Sequence, residues 1–448
     1  MLVEQLFEPG LGHASYLCAD PEAGVAFVVD PRRDVETYLA AASRLGVLIT
    51  HTFETHVHND YLSGSRTLAS LRPIEVVAPR SAGLRYRHRP VDDGDTVRVG
   101  ALEVRALATP GHTPEHMAYV VADLRRASDP QYLFSGGALL VGQIARVDLL
   151  GPDLEPRLAR DAYETLRERV LALADHMVVF PTHGGGSSCS AAPAGSRWTT
   201  LGFERRHNSI AAAAAGEFDS FRAAIGAGLP AAPPYYPHVR ERNFAGAPPR
   251  PRGPLPQLGE GELTGAVLVD PRPPHVFGEG HRPGALNIVG NDSFVARLGA
   301  TVPYGAPVVI LSDDAEQAER LRDQCAAIGY DDVRGYAPPD AGGEGLRTIE
   351  QVDARGARRR AADGDVILDV REPAEREEGY IPGSIHIPYA HLRARMHELP
   401  RGRPVLAYCA SGIRSSLAAS MLAADGREAR NLRGGFIAWR HAGLDVAG

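Results

Sequence analysis

Residues 47–61 read VLITHTFETHVHNDY. An apolar, β-rich run gives way to a polar loop carrying His56, His58 and Asp60 at i, i+2 and i+4. A run of that length and composition predicts a buried strand. The same arrangement recurs twice: VRALATPGHT (104–113) leads into His112, and MVVFPTHGGG (177–186) into His183. If the three strands share a sheet, their ends converge at one edge. Neutral imidazoles with a carboxylate form the donor set of a borderline divalent metal. Any one of these histidines alone reads as an ordinary surface residue. Together, with glycine beside His112 and His183, they point to a metal site built from His56, His58, Asp60, His112 and His183.

Further short β-type runs (GVAFVVD, IEVVAP, HMAYVVAD, QYLFSG) alternate with helical stretches (DVETYLAAASRLG, EPRLARDAYETLRERVLALAD) over residues 1–245. They predict an α/β sandwich of mixed sheets with helices outside. A Pro-rich stretch, AGAPPRPRGPLPQL, follows at 245–258 and reads as a semi-rigid linker over 246–258. A second break, APPDAGGEG, falls at 337–345.

The two pieces after the linker repeat each other. DPRPPHVFGEGHRPGALNI (270–288) laid over DVREPAEREEGYIPGSIHI (369–387) matches at eight of 19 positions without gaps. An apolar run precedes each leading Asp, and Arg334-Gly335 meets Arg433-Gly434 at the same offset. Two copies of one parallel α/β fold are expected, over 259–340 and 346–448.

The 448 residues hold 48 basic and 55 acidic side chains, a net charge of −7, and every basic residue is Arg. That balance gives no clustered positive face for nucleic acid or an anionic membrane. Four widely spaced cysteines exclude a disulfide scaffold and suit a reducing compartment. With no visible leader in MLVEQLFEPG and no long apolar run, a cytoplasmic protein is expected. The sequence leaves a homo-oligomer open.

The elements T-H-x-H-x-D, T-P-G-H-T and the late His183, in that order, resemble the metallo-β-lactamase fold, an αββα sandwich. The stretch GQIARVDLLG (142–151) is similar to the persulfide dioxygenase branch of that family. The resemblance implies a mononuclear iron, with zinc as the alternative, held by the first-motif His56, by His112 and by an Asp after the strand ending at Phe134. Here Ser135-Gly136-Gly137 stands in that place, so Gly137 replaces the carboxylate. Tyr61 replaces the histidine that serves a second metal, which counts against a two-metal thioester hydrolase of the glyoxalase II type. Three outcomes follow: His58 completes a three-histidine face, Asp60 does so, or the site is inactive. Asp148 is expected in a supporting role.

In the last piece, PVLAY leads into Cys409-Ala410-Ser411-Gly412-Ile413-Arg414-Ser415 and a helical stretch. A cysteine opening a helix N-terminus meets backbone N–H groups, the positive helix end and Arg414, all of which favour thiolate and an anion. The loop and the upstream DVREP…EGYIPGSIHIP resemble rhodanese sulfurtransferases, implying catalysis by Cys409 and Arg414. In the first copy, Ser312 falls at the cysteine position and Gln317 at the arginine position, with Asp313 and Asp314 in the loop. Residues 259–340 thus resemble a degenerate rhodanese.

The architecture implied is an N-terminal metallo-β-lactamase-like sandwich followed by two rhodanese-like α/β domains. The activities implied are oxidation of a glutathione-like persulfide to sulfite and sulfur transfer through Cys409, with thiosulfate or sulfite as small partners. The rival readings are a thioester hydrolase with an attached sulfurtransferase, or a metal-free scaffold beside an active Cys409. Cys18 and Cys325 read as apolar fillers. Cys189, six residues past His183, could approach the metal edge. The stretch at 233–243, with Tyr235 and Tyr236, is expected to dock the end of the first domain.

Overall fold

The computed structural model describes residues 1–184, 187, 189, 195–226, 229, 232–340 and 345–448. Part of the run before Cys189 (185, 186 and 188) and part of the second break (341–344) lie outside the described residues. The chain divides into two compact units. One comprises Met1–Ala232 with Tyr236–Arg250, the other Pro233–Tyr235 with Pro251–Gly448. No helix among the described residues is long and apolar enough to cross a membrane.

The first unit is built on two six-stranded sheets. In one, Leu2–Glu8, His13–Asp20 and Val25–Val29 run antiparallel, and Leu48–Phe53, Glu75–Pro79 and Arg89–Val91 continue in parallel. In the other, Thr96–Val99, Leu102–Ala108, Met117–Asp123 and Tyr132–Gly136 form an antiparallel ladder, to which Val178–Pro181 adds in parallel. Strand alternation explains the layering. Phe27 and Val29 point inward with Phe53, Tyr119 and Phe134 between the sheets. Ala26 and Val28 point the other way, onto Tyr38, Ala41 and Leu68. On the second sheet Val120 and Leu133 meet Leu158, Leu166 and Phe221. Strands buried on both faces read as continuous apolar runs, as these do. The four layers are the αββα sandwich expected.

The histidine-bearing strands do not share one sheet. Leu48–Phe53 belongs to the first, whereas Leu102–Ala108 and Val178–Pro181 belong to the second. Their loops converge across the sandwich instead, because both sheets direct these strand ends to the same rim.

The second unit holds two parallel sheets of matching order. In the first, Leu286–Asn287, Val267–Asp270, Val308–Leu311 and Val333–Ala337 are neighbours in that order. In the second, Ile385–His386, Val366–Asp369, Val405–Tyr408, Ala429–Leu432 and Glu350–Val352 follow the same path. The fifth strand is reduced in the first sheet to a bridge between Gln257 and Tyr336.

Candidate functional site

Asp30 organises the histidine rim. It ends the strand Val25–Val29 at φ 50°, the one non-glycine residue with positive φ among the described residues. Such a conformation costs about 1–3 kcal/mol and survives only where the surroundings enforce it. Here the buried carboxylate accepts from Thr55 N–H (2.7 Å), Thr55 Oγ1 (2.8 Å) and Thr182 Oγ1, and pairs with His58 Nε2 at 3.1 Å. One side chain thereby ties the first histidine loop to the last.

His56, His112 and His183 meet with ring centroids 4.8–5.4 Å apart. Hydrogen-bond accounting assigns the tautomers of His56 and His112. Thr55 Oγ1 donates to Asp30, so it accepts from His56 Nδ1–H at 2.8 Å. His112 Nδ1–H donates to the Arg146 carbonyl at 2.6 Å. His183 Nδ1 faces Asp60 Oδ2 at 3.3 Å. His56 and His112 therefore turn a bare Nε2 lone pair inward, and His183 meets them through its own Nε2. Burial, with the neighbouring histidines, holds His56 and His112 well below the usual imidazole pKa, hence neutral. The Nε2 atoms of His56 and His183 are 3.4 Å apart, and that of His112 is buried without a partner. Imidazole nitrogens gathered in a buried rim, two of them with bare lone pairs, fit a cation.

Donor atoms of three sets lie within 4.8 Å of one another: His56, His58 and His183; His112, His183 and Cys189; and Asp30, Glu54 and His58. His58 is drawn towards the last set. Burial opposes its charge, but Asp30 and Glu54 outweigh that and push it up to about 10. Asp60 is also buried, and His183 holds its carboxyl below the usual range against the opposite effect of burial. Asp148 grips Arg146 at 2.6 and 2.7 Å, and the Arg146 carbonyl holds His112.

Gly137 has a steric reason to be glycine. A Cβ there would lie 2.8 Å from His112 Cδ2 and 2.9 Å from Ala145 Cβ. Its N–H donates to His116 Nε2 at 2.8 Å, and burial pushes His116 down to about 3. Tyr61 packs its ring 3.9 Å from that of His13 and donates to the Asp30 carbonyl at 3.2 Å. The helix Tyr236–Ala245 docks on this rim. Arg240 reaches the Val57 carbonyl (2.7 Å) and Glu115 (3.0 Å), and Asn243 donates to the carbonyls of His58 (2.9 Å) and Tyr61 (2.8 Å). Tyr236 Oη lies 3.6 Å from Cys189 Sγ.

Sequence reasoning missed Asp30, Glu54, His13 and His116. Asp30 was visible as an Asp closing the run VAFVV, and His116 as a second histidine in the TPGHTPEH segment. Nothing in their spacing says that they face the rim.

In the second unit, Cys409 ends the strand Val405–Tyr408 and is 1% exposed. Gly412, at φ 96°, turns its N–H onto Sγ at 3.1 Å and opens the helix Ile413–Ala424. The Ser415 hydroxyl lies 3.5 Å from Sγ and donates to Asn431 at 2.6 Å. Close approach explains a nearby glycine: a Cβ on Gly435 would fall 2.3 Å from the Cys409 carbonyl. Arg414 is engaged elsewhere. Both its terminal nitrogens bond Glu375, each at 2.6 Å. The loop is backed by Asp369, which is fully buried and accepts from Arg371, Arg376 and Tyr408.

Residues 353–442 match the rhodanese-like domain family. The mitochondrial persulfide dioxygenase ETHE1 of Homo sapiens is 30% identical over 185 residues, covering 41% of this chain and 68% of that protein. A sulfurtransferase of Allochromatium vinosum is 39% identical over 101 residues, covering 22% of this chain and 94% of that protein. Among solved structures, a metallo-beta-lactamase from Staphylococcus aureus subsp. aureus COL superposes with a TM-score of 0.68 at 29% identity. It covers 76% of this chain and 98% of its own. The named persulfide dioxygenase and sulfurtransferase relatives are enzymes. The chain belongs to the metallo-β-lactamase-fold persulfide dioxygenase family, fused to a rhodanese-like domain.

Proposed function

We propose that the chain combines two steps of sulfur metabolism: iron-dependent oxidation of a low-molecular-weight persulfide in the first unit, and sulfur transfer through Cys409 in the second. The observation that carries the first step is the convergence of the His56, His112 and His183 rings at one buried rim, with bare Nε2 atoms on His56 and His112. These residues would hold a single metal, His183 being common to the donor sets His56–His58–His183 and His112–His183–Cys189. Iron bound there supplies dioxygen activation beside the substrate's terminal sulfur. Overall, one dioxygen and one water convert a persulfide RSSH into the thiol RSH and sulfurous acid. Thr55, Asp60 and the Arg146 carbonyl orient the three imidazoles, as the outer partners of metal ligands do.

In the second step the Cys409 thiolate attacks the outer sulfur of a donor such as thiosulfate. The donor's S–S bond breaks, sulfite leaves with the electron pair, and a persulfide remains on Cys409 for delivery to a thiol. The Gly412 N–H holds the sulfur, and the Arg414–Glu375 pair fixes the loop.

Gly137 supports a second reading, in which the first unit is a scaffold and only Cys409 is active. Oxygen uptake by iron-loaded protein given glutathione persulfide separates the two. Uptake with sulfite release, lost in His112→Ala and absent with zinc, is the expected result. Full iron occupancy without uptake would leave the second reading.

A further inference from the structure

The half of the second unit whose loop lacks a cysteine places one buried charge against the half that carries Cys409. Arg297 lies on the helix Phe294–Thr301 and is 8% exposed. Among the described residues its side chain's one hydrogen bond runs from Nη1 to Asn291 Oδ1 at 2.9 Å, and no carboxylate pairs with it. Its helix packs on the turn Tyr389–His391 of the other half. There the titratable groups that the guanidinium senses are Tyr389, Cys409 and Arg414. A buried arginine without a counter-ion is costly, and such charges are normally paired or matched by a ligand.

Arg414 meets an incoming anion with only part of its donor set, since both its terminal nitrogens already bond Glu375. The two halves are also pinned together close to the loop. Ser416 Oγ donates to Asn287 Oδ1 at 2.6 Å, and the Asn287 N–H donates to Ser420 Oγ at 3.0 Å. Ser416 and Ser420 lie on the helix that begins at the Cys409 loop. These bonds, with the packing of the Arg297 helix on Tyr389–His391, hold the two halves together beside the loop.

We propose that Arg297 is the anion-binding group of the Cys409 site, receiving the sulfonate-type oxygens of an anionic sulfur donor such as thiosulfate. The half whose loop lacks a cysteine is then a working part of the other half's site. The proposal rests on the sulfur-transfer reading of Cys409 for its substrate, but the charge effect can be read without it.

The test uses the full chain and two alkylating agents of similar size, anionic iodoacetate and neutral iodoacetamide, with modification read on the Cys409 peptide. Arg297→Gln should lower the iodoacetate-to-iodoacetamide rate ratio by about tenfold or more, the effect of one charge-assisted hydrogen bond. The thiosulfate KM should rise by a similar factor, and Arg297→Lys should restore most of both. Asn291→Ala, which keeps the charge but frees its orientation, should give a smaller shift and guards against an unfolded Arg297 variant. An unchanged ratio in folded Arg297→Gln, or in Asn291→Ala should Arg297→Gln fail to fold, would overturn the proposal. A lowered ratio in a protein that moves no sulfur from thiosulfate would uphold the anion site and sink the sulfur-transfer reading instead.

Discussion

The loops that open at Cys409 and at Ser312 occupy the same place in two matching sheets, and they solve the same problem in opposite ways. A helix start leaves backbone N–H groups without partners. At Ser312 the side chains absorb them. The hydroxyl accepts the Asp314 N–H (3.0 Å) and lies 2.8 Å from Gln317 Oε1, while the Asp314 carboxylate caps Glu316 N–H at 2.9 Å. At Cys409 no side chain caps the helix; glycine at φ 96° turns an N–H onto sulfur. A loop that satisfies itself has nothing left for an anion, whereas one that leaves its donors to a sulfur atom can hold one.

Sulfur transfer should divide the two loops most sharply. Cys409→Ala is expected to reduce transfer from thiosulfate to cyanide by about a thousandfold or more, as removal of a nucleophile does. Adding the thiol to the other loop, by Ser312→Cys in that background, should restore nothing. Recovered turnover there would show that the self-capping contacts do not matter.

Behind each loop sits a buried aspartate, and their removal should differ in cost. Asp369→Asn breaks a cluster with Arg371, Arg376 and Tyr408 and should lower unfolding free energy by about 3–5 kcal/mol in urea titrations. Asp270→Asn loses Arg272, whose side chain is 21% exposed, and should cost about 1–3 kcal/mol. Equal costs would remove the distinction.

Gly412→Ala places a side chain at φ 96° and should cost about 1–2 kcal/mol together with part of the transfer rate. The matching Ala315→Gly, at a helix start, should change the melting temperature little.

The smallest effect is on pH dependence. Burial tends to raise the Glu375 and Asp369 carboxyls, but Arg414 and Arg371 outweigh it and hold both below their usual range. Their contribution to stability is therefore full above the ordinary carboxylate range and fades as pH falls through their lower folded values. Burial shifts Glu372 the other way. The carboxyl-controlled part of thermal melts should fall below about pH 4, less steeply in Glu375→Gln.

The sandwich and the repeated half were legible because buried strands write themselves as apolar runs and the VILD…IPGSIHI pattern recurs at a fixed offset. His56, His112 and His183 were legible as strand-end residues flanked by turn chemistry. Their facing sheets were not, since nothing local says which sheet a strand joins. Asp30 and Arg297 were illegible for a related reason. Each acts far along the chain from its partners, Asp30 on Thr182 and Arg297 at Cys409. Arg414 looked like an anion binder in sequence, yet Glu375, 39 residues away, claims it.

The most direct measurement is intact-protein and peptide mass spectrometry after exposure to thiosulfate. A gain of about 32 Da, one sulfur atom, confined to the Cys409 peptide and absent from Cys18, Cys189 and Cys325 is the predicted result. No sulfur on Cys409, or sulfur on the other buried cysteines instead, would contradict the account.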